Sequence, residues 1–544
     1  MHRRQFLQRA AAGGAAMSSA LGAVSSSPDA AARQQRRVES NAPGDDRIVE
    51  RSVADLQQAM RDGGVTSRQL TQAYLRRIDA VDRQGPTLNS VIEVNPEALE
   101  IAEAMDAEQR RGAPRGPLHG IPVLIKDNID TADRMKTTAG SLAMVDARPL
   151  RDAFIVTRLR AAGAVILGKT NLSEWANFRS SESTSGWSGR GGLTRNPYAL
   201  DRNACGSSSG TAVAAAASLC AVAVGTETDG SIICPSTRNG LVGIKPTVGL
   251  VSRSGIIPIS VTQDTAGPMA RTVADAASLL TALAGADQRD RVTGASGRPM
   301  TRDFAMALQA QGLQGRRVGV MRNFFGFDKR VDALMEDVIV ALKAADAVVV
   351  DPANLATRGQ FGQAEFEVLL YEFKDGINAY LAGLGEASPM KTLGDLIAFN
   401  EAHAAEEMPF FGQELFVQAE AKGPLTDKAY LAARAKARRL SRSQGLDVLF
   451  KTRRLDAVMS PSGGPAWLTD LVNGDYGTGG SAGPAAVSGY PSITVPAGQV
   501  RGLPVGVSFT GPAWSEFELI AIAYAFEQRT KLRRPPEYRA SAEI

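Results

Sequence analysis

The sequence predicts one large α/β domain, and two observations support this fold class. Short apolar runs typical of buried strands alternate with stretches of helical spacing along most of the chain. The composition is that of an ordinary globular protein, with 44% hydrophobic and 22% charged residues over 544 positions, so a sizeable core can form.

The first half of the chain predicts these elements in order. Apolar residues at helical spacing over 48–107 predict a helical entry segment. Apolar runs at 121–125 and 164–168 predict buried strands, separated by a helix over 155–162. The run of Ala, Val, Ser and Leu over 211–223 predicts a buried helix against which other backbone can pack closely.

The second half contains a helical, charge-rich block from about 361 to 451, which we interpret as an insertion in the α/β pattern. Two roles remain open for it: shaping a substrate pocket, or covering the sheet as a helical layer. After it, the pattern predicts strands over 455–459, 492–498 and 504–511 and a closing helix over 517–527.

The amino terminus resembles a twin-arginine export signal. Arg3 and Arg4 precede Phe-Leu and a weakly apolar, glycine-containing run that is too short for a membrane span. We therefore expect a signal peptide over 1–32, a linker over 33–47 and the folded domain over 48–544. The expected location is the periplasm or the outside of a bacterial cell, with the export machinery as a transient partner. The alternative is a disordered basic tail.

The charge balance excludes several classes of partner. Lys and Arg total 61 against 57 Asp and Glu, a formal charge of +4, which is too close to neutrality for a nucleic-acid surface. No other stretch predicts membrane insertion, and no metal-ligand spacing or phosphate-binding loop is visible. We expect a small-molecule or peptide substrate, no cofactor and no metal. The three cysteines, Cys205, Cys220 and Cys234, are expected to be packing residues with free thiols.

Two serine-bearing turns carry the strongest chemical signal. The first, CGSSSG, places Ser207, Ser208 and Ser209 between glycines, and the second places Ser231 after Gly230. The predicted helix between them would hold the two turns close together. Glycine permits the tight backbone conformations that bring a serine and its neighbouring N–H groups close to a substrate.

A serine nucleophile needs a base, and the histidines do not supply one. His119 precedes a turn into a strand and is expected to be structural, while His403 lies in the helical block and is expected to be solvated. Lys126 is the remaining candidate, because it ends an apolar strand where burial would lower its pKa. Its neighbour Asp127 should point to the opposite side of the extended chain.

At these residues the sequence resembles the amidase signature family, whose serine-serine-lysine triad hydrolyses carboxamides. The likeness covers most of the chain and is densest in five ordered blocks: LHGIPVLIKDNID at 118–130, GKTNLSEW at 168–175, CGSSSG at 205–210, GTETDGSI at 225–232 and GLVGIKPTVGLVSRSGIIP at 240–258. It implies a single domain with a central mixed β-sheet covered by helices on both faces. It also implies Ser231 as nucleophile, Ser207 as bridging serine with an unusual backbone conformation, and Lys126 as general base.

The turn before the nucleophile is the expected oxyanion hole. The resemblance implies that the backbone N–H groups of Thr228, Asp229, Gly230 and Ser231 face the substrate carbonyl oxygen. The chain departs from the family pattern at Cys205 and at Asp229, where glycines are usual. Asp229 has two open roles, binding a polar or cationic group of the substrate or capping a turn.

GTETDGSI is most similar to the peptide amidases, which release ammonia from C-terminal peptide amides. We therefore expect an exported peptide amidase acting through an acyl-serine. The alternatives are an amidase of small aliphatic, aryl or cyclic amides, a non-hydrolytic assembly component similar to the matching subunit of glutamyl-tRNA amidotransferase, and a binding protein without turnover.

Overall fold

An eleven-stranded mixed β-sheet forms the centre of the computed structural model, which describes residues 47–294 and 302–542. The strands are β1 (Val91–Val94), β2 (Pro122–Lys126), β3 (Val165–Thr170), β6 (Val222–Glu227), β7 (Val242–Lys245), β8 (Thr265–Ala270), β9 (Arg317–Val320), β10 (Val348–Val350), β11 (Ala457–Pro461), β12 (Ser492–Val500) and β13 (Leu503–Thr510). Their order is β1-β3-β2-β6-β8-β7-β12-β13-β11-β9-β10, and a separate hairpin pairs β4 (Trp187–Ser188) with β5 (Gly192–Leu193).

The parallel strands β3, β2 and β6 are buried along their whole length and consist mainly of apolar residues. This is the pattern expected where both faces of a sheet are covered. Because β2 and β6 are parallel neighbours, their carboxyl ends lie at the same edge of the sheet. That edge carries Lys126 at the end of β2 and Thr226 near the end of β6.

Helices cover the sheet on both faces, as the family resemblance implied. They are α1 (Val53–Arg61), α2 (Ser67–Arg77), α3 (Ala98–Arg110), α4 (Phe154–Ala161), α5 (Ser209–Ala216), α6 (Ile233–Arg238), α7 (Val273–Leu283), α8 (Lys329–Lys343), α9 (Gly362–Leu384), α10 (Leu393–Ala402), α11 (Ala404–Glu407), α12 (Glu414–Glu420), α13 (Lys428–Ser441), α14 (Asp447–Arg453), α15 (Gly483–Ser488) and α16 (Glu516–Thr530). The segments containing α5 and α6 approach the sheet closely because strand glycines face them. A Cβ on Gly225 would lie 2.8 Å from Ser208 Oγ, and one on Gly243 would lie 2.3 Å from Ser236 Oγ.

The block from α9 to α14 is helical and packs onto the sheet-containing part through its own apolar cluster. Phe373 and Phe416 of this block contact Phe178 and Trp175 of the loop after β3. A fully buried ion pair between Arg179 and Glu174 lies at the same junction. The junction fixes α9 against the loops at the carboxyl edge of the sheet.

Two local predictions need correction. The helix predicted over 211–223 ends at Ala216, Ser218 adopts a left-handed conformation, and β6 begins at Val222. The apolar run is continuous in sequence, but pairing with β2 and β8 draws its second part into the sheet. The entry segment also contains β1, which pairs antiparallel with β3 at the sheet edge.

The predicted signal peptide over 1–32 and nearly all of the predicted linker over 33–47 lie outside the described residues. Within the described ranges, we find no helix that combines the length and apolarity needed to cross a membrane. The same ranges contain no group of three or more His, Cys, Asp or Glu residues arranged to hold a metal ion.

Candidate active site

Lys126 lies at the centre of the predicted site and is fully buried. Its Nζ donates hydrogen bonds to Ser207 Oγ at 2.8 Å and to Thr226 Oγ1 at 2.9 Å. A longer contact of 3.4 Å reaches the Thr226 carbonyl oxygen. If the amine is neutral, its two hydrogens can satisfy Thr226 and its lone pair can accept the Ser207 proton.

Burial lowers the pKa of Lys126 from the ordinary value of 10.5 to about 7, and the charges of Asp264 and Glu227 oppose part of this shift. Removing an ammonium group from water disfavours its charged form. A substantial neutral fraction therefore exists near pH 7. The side chain meets the electrostatic requirement for a base.

Ser207 is fully buried in the first serine turn, and its peptide bond to Gly206 is cis. The carbonyl of Ser207 accepts the Ser173 N–H at 3.1 Å. The two following serines make local structural bonds: Ser208 Oγ donates to the Thr226 carbonyl at 3.0 Å, and Ser209 Oγ donates to the Cys205 carbonyl at 2.6 Å. Of the three serines in the turn, Ser207 is the one in contact with Lys126.

Ser231 lies in the turn between β6 and α6, and 8% of its surface is exposed. Its carbonyl accepts the Ser208 N–H at 3.2 Å, which joins the two serine turns directly. Among the described residues its hydroxyl makes no hydrogen bond, so it is available to a substrate. Gly230, with a φ of +79°, makes the tight turn possible.

The start of α6 is fixed by Glu227. Its Oε2 accepts the N–H groups of Ile232 and Ile233 at 2.7 and 2.9 Å. A carboxylate at a helix amino terminus satisfies donors that have no partner within the helix. This contact holds the turn that carries Ser231 against the end of β6.

The cysteine prediction was wrong for two of the three residues. Cys205 and Cys234 form a disulfide, with Cα atoms 6.0 Å apart across a sequence separation of 29, whereas Cys220 is free and buried. The prediction relied on cysteine number and apolar surroundings. It overlooked that the two serine turns, expected to meet, carry one cysteine each. The disulfide links them immediately beside Ser207 and Ser231.

The remaining sequence expectations concern groups away from the reaction. His119 is 2% exposed and contacts the Met105 carbonyl at 3.0 Å, while His403 is exposed and stacks on Phe399. The carboxyl group of Asp127 points away from the groups that contact Lys126. It accepts a hydrogen bond from the Thr138 hydroxyl and forms an ion pair with Arg190.

Sequence reasoning missed the polar residues that complete the site. Asn128 Nδ2 donates to Thr226 Oγ1 at 3.0 Å, so Thr226 receives bonds from both Asn128 and Lys126. Gln263 Nε2 reaches the Thr228 carbonyl at 3.3 Å and Glu365 Oε1 at 2.9 Å. The parallel pairing of β2 and β6 could have indicated Thr226. Nothing local indicated Glu365, which is distant in sequence.

The chain belongs to the amidase signature family. A family model described as Amidase matches residues 69–520, most of the described chain. The fold and this match define the protein as an amidase, a hydrolase of carboxamides. The expectations of the family and of its single-domain mixed-sheet fold are therefore confirmed.

Known relatives agree with this assignment. A peptide amidase solved in complex with the competitive inhibitor chymostatin is 55% identical, with a TM-score of 0.87, covering 90% of this chain and 99% of that chain. A probable amidase of Arabidopsis thaliana is 41% identical over 90% of this chain and 92% of its own length. A glutamyl-tRNA(Gln) amidotransferase subunit from Halorhodospira halophila is 33% identical over 88% and 97%.

Proposed function

We propose that this amidase is an exported peptide amidase that releases ammonia from C-terminal peptide amides. The observation that carries the substrate class is the 55% identity to a peptide amidase over 99% of that chain. The likeness to the glutamyl-tRNA(Gln) amidotransferase subunit is weaker, at 33% identity. Hydrolysis of small aliphatic, aryl or cyclic amides remains the alternative, which a panel of substrates can distinguish.

The proposed reaction uses Ser231, Ser207 and Lys126. Ser231 Oγ attacks the carboxamide carbon as its proton passes to Ser207 Oγ and the Ser207 proton passes to neutral Lys126 Nζ. The relay then returns a proton to the departing NH₂ group, which leaves as ammonia while the acyl group stays on Ser231. Water, activated by the same relay, hydrolyses the acyl-serine to a carboxylic acid.

The negative charge on the carbonyl oxygen would be held by backbone N–H groups of the turn Thr228, Asp229, Gly230 and Ser231. Fixed donors of this kind are each worth roughly 10² to 10³ in rate. The hydrogen bond from Gln263 to the Thr228 carbonyl and the Glu227 contacts to α6 hold the two ends of this turn. The turn is thereby fixed in place before the substrate binds.

The test is ammonia release from amidated peptides and from simple aliphatic and aryl amides by purified wild type and Ser231→Ala. We expect preference for amidated peptides and a loss of roughly 10³-fold or more in the variant, because the nucleophile is removed. Ser278→Ala is the matched control, since within the described ranges that hydroxyl donates only to the Ala274 carbonyl of α7. Substantial turnover by folded Ser231→Ala would refute the mechanism, and preference for small amides would refute the substrate class.

We further propose that the chain is exported through the twin-arginine route to the periplasm or beyond. The paired residues Arg3 and Arg4 support this from sequence. The disulfide between Cys205 and Cys234 adds support, because disulfides persist mainly in oxidising compartments.

A further inference from the structure

The side chain of Asp229 has no role in the mechanism, which uses only its backbone N–H. It is exposed, whereas Thr228 and Ser231 on the same turn are 8% exposed each. This exposed carboxyl lies on the same turn as the nucleophile, two residues before Ser231. Its chemistry can therefore affect which acyl groups bind at Ser231.

A cleft lies close to Asp229. A Cβ built on Gly483 would lie 3.6 Å from Asp229 Oδ2 and 3.9 Å from Phe361 Cε2, so the three residues meet at the cleft wall. The adjoining cavity has a volume of about 410 Å³ and is lined by Phe324, Arg358, Gly359, Phe361, Gly480, Gly483 and Pro484. Most of its lining residues are apolar or glycine.

A second carboxyl, that of Glu365, lies close to Asp229. Its negative charge disfavours a charge on Asp229. Glu365 is 8% exposed, and its Oε1 also accepts the Gln263 Nε2 proton at 2.9 Å. Gln263 also donates to the Thr228 carbonyl, so it connects Glu365 to the turn that forms the expected oxyanion hole.

Asp229 can accept a hydrogen bond in either protonation state. The pKa of Asp229 is raised well above its usual range, because neighbouring groups exclude water from the carboxyl and because the charges of Glu365 and Glu227 disfavour its ionised form. A protonated carboxyl keeps an oxygen that accepts a hydrogen bond, and an ionised one has two such oxygens. The side chain is therefore suited to accept an N–H of a substrate.

We propose that Asp229 is a specificity residue that accepts the N–H on the α-carbon next to the scissile carboxamide. This nitrogen is two bonds from the carbonyl carbon, and every acylated amino acid amide except proline and N-alkylated ones carries a hydrogen on it. Simple aliphatic and aryl amides lack it. The inference rests on the proposed peptide amidase function and gives a physical reason for preferring peptide amides.

The test compares substrates that differ only at this nitrogen. N-acetylphenylalaninamide is compared with its 2-acetoxy analogue, in which oxygen replaces the N–H, by measuring kcat/KM for ammonia release. In wild type we expect the N–H substrate to be favoured at least about tenfold, because a site built to accept an N–H discriminates against its absence. In Asp229→Ala the ratio should fall to near one, a change that a general folding defect would not produce.

Asp337→Ala, which removes an exposed aspartate on α8, should keep the wild-type ratio. Asp229→Leu repeats the measurement with a larger side chain if the alanine variant does not fold. A wild-type ratio near one overturns the inference without any variant. So does a ratio that survives in folded Asp229→Ala.

Two further substrates separate this inference from the proposed function. Wild type that cleaves 3-phenylpropanamide but no peptide amide would refute the peptide amidase proposal itself. Wild type that prefers peptide amides, with both substrate classes lowered equally by Asp229→Ala, refutes only the role of Asp229. A preference for phenylalaninamide with its free ammonium group, lost in Asp229→Ala, would show charge recognition and also overturn the proposal.

Discussion

Lys126 shows how a site without histidine can contain a base that works near neutral pH. The strand places the amine in a fully buried position, and the polar partners it finds there are hydroxyl and carbonyl oxygens of Ser207 and Thr226. Neither partner carries a charge that would hold the ammonium form strongly. The loss of hydration therefore dominates, and the proton affinity of the amine falls toward that of an ordinary histidine.

The lowered pKa of Lys126 predicts how kcat/KM falls toward acidic pH. The proton-accepting form of Lys126 is the neutral one and its pKa is lowered to about 7, so kcat/KM should rise with pH through a midpoint near 7. Initial rates across the acidic and neutral range measure the midpoint. Lys126→Arg, which stays protonated, should lose activity at every pH.

A variant of Asp264 is the control that shows whether the fall in kcat/KM at acidic pH comes from Lys126. Its charge raises the pKa of Lys126, so Asp264→Asn should move the midpoint to lower pH while an acid limb remains. The pKa of Asp264 itself is raised to about 6 by burial, which makes it the competing origin of a limb in this range. Disappearance of the limb in Asp264→Asn would contradict the assignment to Lys126.

At the level of single residues, the sequence predicted the groups with distinctive chemistry and missed those that depend on packing. Lys126 could be found because an apolar strand ending in lysine already implies burial. Thr226 and Asn128 could not, since threonine and asparagine have many roles and only the pairing of β2 with β6 makes them neighbours of the amine.

At the scale of elements, α5 and β6 form the connection between the two serine turns, and the disulfide closes it. Cys205 lies two residues before Ser207, and Cys234 lies three residues after Ser231 at the start of α6. Arg238 Nη1 lies 2.8 Å from Cys234 Sγ, and Cys234 is half-buried.

Breaking this link should lower both stability and turnover. Closing a loop with a sequence separation of 29 is worth about 3.6 kcal/mol, and the closed loop contains both serines. We expect Cys205→Ala/Cys234→Ala to have a lower Tm and a severalfold lower kcat, with KM changed less, because the spacing of the serines acts on the chemical step. Thermal unfolding and steady-state kinetics, with and without dithiothreitol, measure these effects.

Cys220→Ala is the control for the disulfide, because it removes the free thiol and keeps the link. It should respond to dithiothreitol as wild type does, whereas the double variant should not respond at all. Equal kcat in reduced and oxidised wild type would show that the tether has no influence on the reaction.

The elements themselves were predictable where the pattern of apolar residues had one interpretation. β2, β3 and α4 lie within one or two residues of their predicted bounds. The run over 211–223 was ambiguous, because a stretch of mainly alanine and valine, with no turn-forming residue to mark a boundary, suits a buried helix and a buried strand equally. Pairing with two neighbouring strands decided where the helix ends.

At the scale of the whole molecule, the candidate reaction centre and the cleft close to Asp229 come from different parts of the chain. Lys126, Ser207 and Ser231 come from one stretch of about a hundred residues built on neighbouring strands. The cleft close to Asp229 is lined by residues just before α9, among them Phe361, and by Gly483, all of which follow far later in the chain. Local motifs could therefore predict the chemistry, whereas the cleft depends on contacts between distant segments that a single sequence does not reveal.

The proposed export can be tested on the whole chain through the redox state of its three cysteines. Exported wild type should carry the Cys205–Cys234 disulfide, so only Cys220 reacts with an alkylating reagent after denaturation. A variant with Arg3→Lys and Arg4→Lys should remain in the cytoplasm, where thiols are kept reduced, and all three cysteines should then react. Cell fractionation with mass measurement of the alkylated protein distinguishes the two states. Wild type found in the cytoplasm with three reactive thiols would refute the export proposal while leaving the amidase chemistry intact.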